Sequence, residues 1–213
     1  MAATLPRLDP GTRTIVAGRT GSGKTSLARY FMQRLNTGQH WVILNPKHTA
    51  GYKSLPDAIV LDGWDARKFE RAISKHRFVI LNFKTAELDS DFMDSVLLYI
   101  HETYNNIGIC ADELYYLHKF GEAGDGLIGI LTRGRERKQT FLGLVQRPKR
   151  ISLFAFSESD YIVMMALNLE SDRKRMVEAT GDQRFIESLP KYHWRWYTVD
   201  ADAAQTWGPV PLS

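Results

Sequence analysis

The segment Gly18-Arg19-Thr20-Gly21-Ser22-Gly23-Lys24-Thr25 fits the pattern G-x-x-x-x-G-K-[S/T] at every fixed position. Glycines let a backbone curl until successive N–H groups point inward at phosphate oxygens. A helix starting at the end of such a loop presents its positive end to the same anion. Lys24 can reach the β and γ phosphates of a nucleoside triphosphate, and the Thr25 hydroxyl can ligate Mg²⁺. Ser26, the next residue, completes the set expected to hold the nucleotide, Gly18 through Ser26. The implied cofactors are ATP and Mg²⁺.

A phosphate loop needs a second carboxylate site for its metal. Ile107-Gly108-Ile109-Cys110-Ala111 is an apolar run ending in Asp112-Glu113, the form of a Walker B strand. Asp112 is placed to hold Mg²⁺ through its water shell, and Glu113 to polarise the attacking water. Adjacent Asp and Glu separate hydrolases from most small-molecule kinases of this type, which need no dedicated water activator. Cys110 reads as a buried strand residue. As the single cysteine it excludes an internal disulfide and fits a reducing, cytoplasmic setting.

These groups must be positioned by elements that alternate along the chain. Thr14 to Ala17 reads as a strand entering the loop, and Leu27, Tyr30, Phe31 and Leu35 recur at helical spacing after it. Trp41 to Leu44, Ala58 to Leu61 and Phe78 to Phe83 read as further strands. One amphipathic helix carries Phe69 and Ile73; another carries Phe92, Val96 and Ile100, with Asp89, Ser90 or Asp91 as caps. A loop over Leu114 to Gly126 leads to a helix from Leu127 to Arg137, then a strand from Thr140 to Val145. Tyr161 to Ala166 is a strand, Ser171 to Ala179 a helix stopped near Gly181, and Trp194 to Val199 a late strand.

The expected fold is α/β: a mainly parallel central sheet flanked by helices. Phe78 to Phe83 lies in sequence between the phosphate-loop strand and the acidic-pair strand. That order suits the RecA-like branch of P-loop NTPases, with an additional strand and a catalytic glutamate. At 213 residues the chain suffices for one domain with a sizeable core and is short for two. The expected organisation is a single domain over 1–213, with its core at about 12–181 and a C-terminal extension at 182–213. Met1 to Pro10 does not read as a secretory signal, and no apolar run is long enough to cross a bilayer.

The net charge of +4 decides little, but its distribution is uneven. Arg133, Arg135, Arg137, Lys138, Arg147, Lys149 and Arg150 are opposed only by Glu136 between residues 133 and 150, a segment suited to a polyanion or to a solvated face.

Arg133-Gly134-Arg135-Glu136-Arg137-Lys138, followed by Phe141 to Val145 and Gln146-Arg147-Pro148, resembles the corresponding region of the HerA/FtsK superfamily of DNA-translocating ATPases. Asp160 to Gly181, with Leu167-Asn168-Leu169 and Asp172-Arg173-Lys174-Arg175, is similar to that family's closing strand and helix. The resemblance spans most of Thr14 to Gly181. It implies that Gln146 is a polar sensor of the γ-phosphate and that Arg135 reaches a neighbouring subunit's ATP. Arg133 and Arg137, two residues to either side, are the alternatives.

Neither the membrane segment of chromosome-segregating members nor the extra barrel domain of HerA proteins is read in the sequence. A minimal member of this kind resembles the genome-packaging ATPases of tailless icosahedral viruses with an internal membrane. The resemblance implies a homo-oligomeric ring of about five or six subunits. It also implies double-stranded DNA bound without sequence preference, and a capsid vertex or portal protein as a further partner. The setting would be the cytoplasm of an infected cell or the packaging vertex of a virion. Candidate DNA contacts are Tyr115, Tyr116, His118 and Lys119 after Glu113, and Lys47-His48 through Lys53. The rival functions are a nucleotide or metabolite kinase, with the arginines as a phosphate-gripping lid, and a phage assembly or secretion ATPase.

Overall fold

The computed structural model describes residues 8–35, 38–119, 121–198 and 205–210. Residues 1–7, most of the Met1 to Pro10 stretch that does not read as a secretory signal, lie outside this range, as do the Leu35 side chain and Val199 at the expected end of the last strand. In chain order the main elements are β1 (Arg13–Ala17), α1 (Lys24–Tyr30), β2 (His40–Asn45), β3 (Ala58–Asp62), α2 (Ala66–Ile73), β4 (Phe78–Asn82), α3 (Ser90–Thr103) and β5 (Ile107–Asp112). A short hairpin, β6 (His118–Lys119) and β7 (Glu122–Ala123), precedes α4 (Asp125–Arg133). Then follow β8 (Thr140–Val145), α5 (Leu153–Ser157), β9 (Tyr161–Met164), α6 (Glu170–Thr180), β10 (Trp194–Tyr197) and β11 (Gln205–Trp207).

Among the described residues nine strands form one sheet in the order β11-β10-β9-β1-β8-β5-β2-β4-β3. All pairings from β9 to β3 are parallel; β10 and β11, from the segment past residue 181, add antiparallel at one edge. Strand periodicity sends alternate side chains to opposite faces. Ile15 and Ala17 enter the apolar cluster under α2, α3 and α4, whereas Val16 joins Leu27 and Phe31 of the α1 side. The strands are nearly continuous apolar runs because both faces are covered.

The additional strand between the phosphate-loop strand and the acidic-pair strand is β8, which pairs with β1 on one side and β5 on the other. Phe78 to Phe83, expected in that role from sequence order, lies instead beyond β2. Sheet order is set by long-range pairing, and chain order does not encode it.

Helix α4 begins at Asp125 rather than Leu127 and ends at Arg133, leaving Arg135 and Arg137 in the turns that follow. Its start is capped from outside: the Asp94 carboxylate on α3 accepts hydrogen bonds from Gly126 N–H (2.8 Å) and Leu127 N–H (3.0 Å). A Cβ at Gly126 would lie 2.5 Å from the Asp94 carbonyl oxygen, so only glycine admits this approach. Asp89 caps α3 as expected, and Gly181 ends α6 in the left-handed conformation. Among the described residues no helix is long and apolar enough to cross a membrane.

Candidate active site

Because the central strands are parallel, the loops leaving β1, β2, β5 and β8 all open at the same carboxyl edge of the sheet. Ligand sites of open α/β sheets form there. The loop after β1 is anchored to its neighbours: Gly18 N–H donates to the Val145 carbonyl (2.9 Å) and Arg19 N–H to the Ala166 carbonyl (2.8 Å). Gly21 (φ 73°) and Gly23 (φ 106°) take left-handed conformations that side-chain-bearing residues adopt at a cost. Lys24 closes over the loop, its Nζ donating to the carbonyls of Gly18 (2.7 Å) and Arg19 (3.2 Å). Burial lowers the Lys24 pKa to about 8, against the opposing pull of Glu113 and Asp112.

Asp112 and Glu113 are both buried at the end of β5. Glu113 has φ 114°, outside the ordinary range for a residue with a side chain, which costs about 1–3 kcal/mol and collects at functional sites. Its carboxylate is paired with the Lys47 ammonium. Asp112 Oδ2 accepts a hydrogen bond from Thr49 Oγ1 (2.7 Å). Thr49 is itself fixed by Asn45, whose side-chain oxygen accepts from Thr49 N–H (2.9 Å). Asn45 Nδ2 donates to Asn82 Oδ1 (2.8 Å), and Asn82 Nδ2 to Asp62 Oδ1 (3.1 Å). The ends of β3, β4 and β2 thus form one polar relay terminating on Asp112.

A cleft of about 380 Å³ is lined by Thr20, Gly21, Gly23, Lys24, Thr25 and Ser26 from the loop, and by Asp112, Glu113 and Gln146. Lys47, Thr49, Leu144 and Tyr192 complete its wall. The structure therefore brings together most of the residues singled out in the sequence. Gly18, Arg19 and Ser22 shape the loop without lining this cleft. Arg19 and Gln146 also line a smaller neighbouring recess with Arg147 and Asp172. There Arg147 Nε donates to the buried Asp172 carboxylate (2.9 Å), and Lys149 N–H to its other oxygen (3.2 Å), fixing the turn after Gln146 to α6.

The three arginines are not in the cleft of their own chain. Arg135 pairs with Asp160 beside Arg13 at the amino edge of the sheet, and Arg137 donates to the Glu102 carbonyl (2.7 Å). Arg133, at the end of α4, is exposed on the same side of the fold. Part of the segment after β2, the other candidate DNA contact, turns toward the site, while Lys53 is exposed. Lys47 and Thr49 enter the cleft, His48 bonds the Phe83 carbonyl (2.7 Å) and Tyr52 is buried. The sequence marks Lys47 only as a basic loop residue, while Thr49, Asn45 and Tyr192 carry no local pattern that would single them out.

Among the described residues no group of three or more His, Cys, Asp or Glu side chains forms a metal site. The donors present fit Mg²⁺, a hard cation that takes few protein oxygens and keeps waters or phosphate ligands. The Thr25 hydroxyl and an Asp112 carboxylate held in place by Thr49 are oxygen donors of that kind.

The DNA packaging ATPase of Enterobacteria phage PRD1 is 27% identical over 213 residues, covering 94% of this chain and 88% of that protein. The resemblance to packaging ATPases is borne out. The genome packaging NTPase B204 of Sulfolobus turreted icosahedral virus 2, in complex with AMPPCP, superimposes with a TM-score of 0.76 at 16% identity, covering 95% of this chain and all of that one. The plasmid coupling protein TrwB, in complex with a GTP analogue, matches with a TM-score of 0.63 at 12% identity, over 97% of this chain and 86% of that one. No protein-family model matches the chain. The fold thus agrees with that of these packaging and coupling proteins.

Proposed function

We propose that this chain is an ATP-hydrolysing motor that translocates double-stranded DNA and packages a viral genome into a preformed capsid. The observation that carries the reading is the convergence of Lys24, Thr25, Asp112, Glu113 and Gln146 on one cleft. Its support is the similarity to the PRD1 packaging ATPase over nearly the whole chain.

The loop amides and Lys24 bind the triphosphate and neutralise its charge. Thr25 and Asp112 would hold Mg²⁺, which would supply positive charge against the developing phosphate charge. Glu113 orients a water for attack on the γ-phosphate and takes its proton. Gln146, at the end of the strand between β1 and β5, reports whether the γ-phosphate is present. Arg135 acts on the ATP of the next subunit in a ring of about five or six, where a guanidinium is worth about 10³–10⁵ in rate. An adjacent Asp and Glu favour water as the acceptor, against the kinase reading.

Two segments carry the nucleotide state outward. One runs from Glu113 to Tyr115, Tyr116, His118 and Lys119; the other runs from Gln146 to Lys149 and Arg150. They meet in a groove of about 1060 Å³, where the Arg150 guanidinium lies 5.7 Å from the Tyr115 ring centroid. Lys149 and Arg150 form no ion pair among the described residues, which suits contact with a phosphate backbone. A capsid vertex or portal protein would hold the ring at its place of work.

The test is the ATPase rate with and without double-stranded DNA, on wild type and Glu113→Gln. DNA should stimulate the wild type, and the variant should lose nearly all hydrolysis. A rate indifferent to DNA but dependent on a small phosphate acceptor would establish the kinase.

A further inference from the structure

Sheet order gives the cleft a direction. Asp112 and Glu113 stand at the end of β5, two strands to one side of β1 and its phosphate loop. Strand β10 lies two strands to the other side. Since β10 runs antiparallel, its first residue, Trp194, lies at the same carboxyl edge as the loop. Tyr192 comes just before it and lines the cleft. A triphosphate whose γ end meets the carboxylates of β5 therefore has its nucleoside end directed toward Tyr192.

The tyrosine is built into the loop. Its N–H donates to the Ser22 carbonyl (3.3 Å), and its own carbonyl accepts from Val210 N–H (2.8 Å). The ring leans on Gly23: a Cβ there would lie 2.9 Å from Tyr192 Cδ1, so the glycine that frees the loop's amides also makes room for the aromatic. The Lys191 ammonium sits 4.7 Å from the ring centroid. Tyr192 has φ 65°, a conformation that asparagine or glycine would adopt with less strain. A part-buried aromatic held at such a cost in one cleft with Thr25 and Ser26 suits a large flat apolar ligand group.

Resting on the phosphate-loop reading, we infer that Tyr192 is the platform on which the purine base of the nucleotide stacks, so that the segment past residue 181 completes the nucleotide site. Lys191 backs the ring. The phosphates and the base are then recognised by separate parts of the chain, the first by Gly18–Ser26 and the second by Tyr192.

The experiment is calorimetric titration of ATP and of inorganic tripolyphosphate into wild type, Tyr192→Phe and Tyr192→Leu, with steady-state ATPase assays alongside. The leucine variant keeps an apolar side chain against Gly23 but has no π face. Loss of base–aromatic stacking implies ATP affinity lower by about tenfold and a KM raised to match. Tripolyphosphate affinity and kcat at saturating ATP should be unchanged, and phenylalanine should behave as wild type. ATP affinity unchanged in the leucine variant overturns the inference, and so does an equal loss for both ligands, which would make the ring a mere prop for the loop. A wild type that binds neither ligand overturns the phosphate-loop reading itself, an outcome distinct from the other two.

Discussion

The Lys47 ammonium is paired with the Glu113 carboxylate, joining the loop after β2 to the end of β5 across the mouth of the cleft. The partners are unequally buried: the Glu113 side chain is 8% exposed and that of Lys47 39%. Removing the buried partner leaves a cation that water can solvate, whereas removing Lys47 takes its paired cation from a buried carboxylate. Lys47→Met should therefore destabilise the protein by about 1–2 kcal/mol, less than for a fully buried pair because Lys47 is part-exposed. Glu113→Gln should cost little, and the double variant should recover most of the loss. Denaturant melts of the four proteins check this; equal costs for the two single variants would refute it.

The relay from Asp62 through Asn82 and Asn45 to Thr49 ends on one oxygen of Asp112. Groups that orient a metal-binding carboxylate are typically worth about 10–100-fold in metal affinity. Thr49→Val keeps the shape of the side chain and deletes the donor. It should raise the Mg²⁺ concentration for half-maximal ATPase by about tenfold, with kcat restored at high Mg²⁺ and Thr49→Ser close to wild type. A Mg²⁺ requirement unaltered by the valine would show that the hydroxyl does not position Asp112.

Phosphate chemistry fixes the spacing of Gly18, Gly23, Lys24 and Thr25, and metal chemistry puts a carboxylate at a strand end; both are local patterns that can be read off a linear chain. Lys47, Thr49 and Tyr192 reach the same cleft from strands that only sheet pairing brings alongside, so no local spacing announces them. The exchange of β4 for β8 as the inserted strand has the same origin, since both are apolar runs of similar length. The early start of α4 depends on Asp94, 31 residues before Asp125 in the chain. Regular elements were legible from periodicity, whereas their neighbours across the sheet were not.

Two buried histidines set an acid limit on the fold. His101 shares a 2.6 Å hydrogen bond with the Gln139 side chain, and His118 bonds the Leu114 carbonyl at 3.1 Å. Burial, the largest influence on both, holds each pKa below the ordinary 6.5. As pH falls through 6.5 the unfolded chain takes up protons that the folded chain refuses, so stability is full above 6.5 and declines toward the lower folded values. Each histidine contributes a slope of at most about 1.4 kcal/mol per pH unit in that window. The melting temperature should drop between about pH 7 and pH 5, and His101→Gln with His118→Gln should flatten the profile. An equally steep profile in the double variant would assign the loss to other groups.

Arg135 lies at the amino edge of the sheet, its side chain 63% exposed beside Asp160, while Glu113 lies at the carboxyl edge. The two cannot serve one ATP within a single chain, so the trans role proposed for Arg135 requires a neighbouring subunit's cleft. Arg135→Ala should retain ATP binding and lose about 10³-fold or more in kcat. Glu113→Gln should also bind and not turn over. When the two inactive proteins are mixed and allowed to exchange subunits, some interfaces pair an intact Glu113 with an intact Arg135 from the neighbour. ATPase activity should then reappear, more strongly as exchange proceeds. Arg133→Ala and Arg137→Ala, taken through the same mixing, decide between the arginines: only the one that crosses the interface complements Glu113→Gln. If no arginine variant complements, each site is completed within its own subunit and the trans assignment fails.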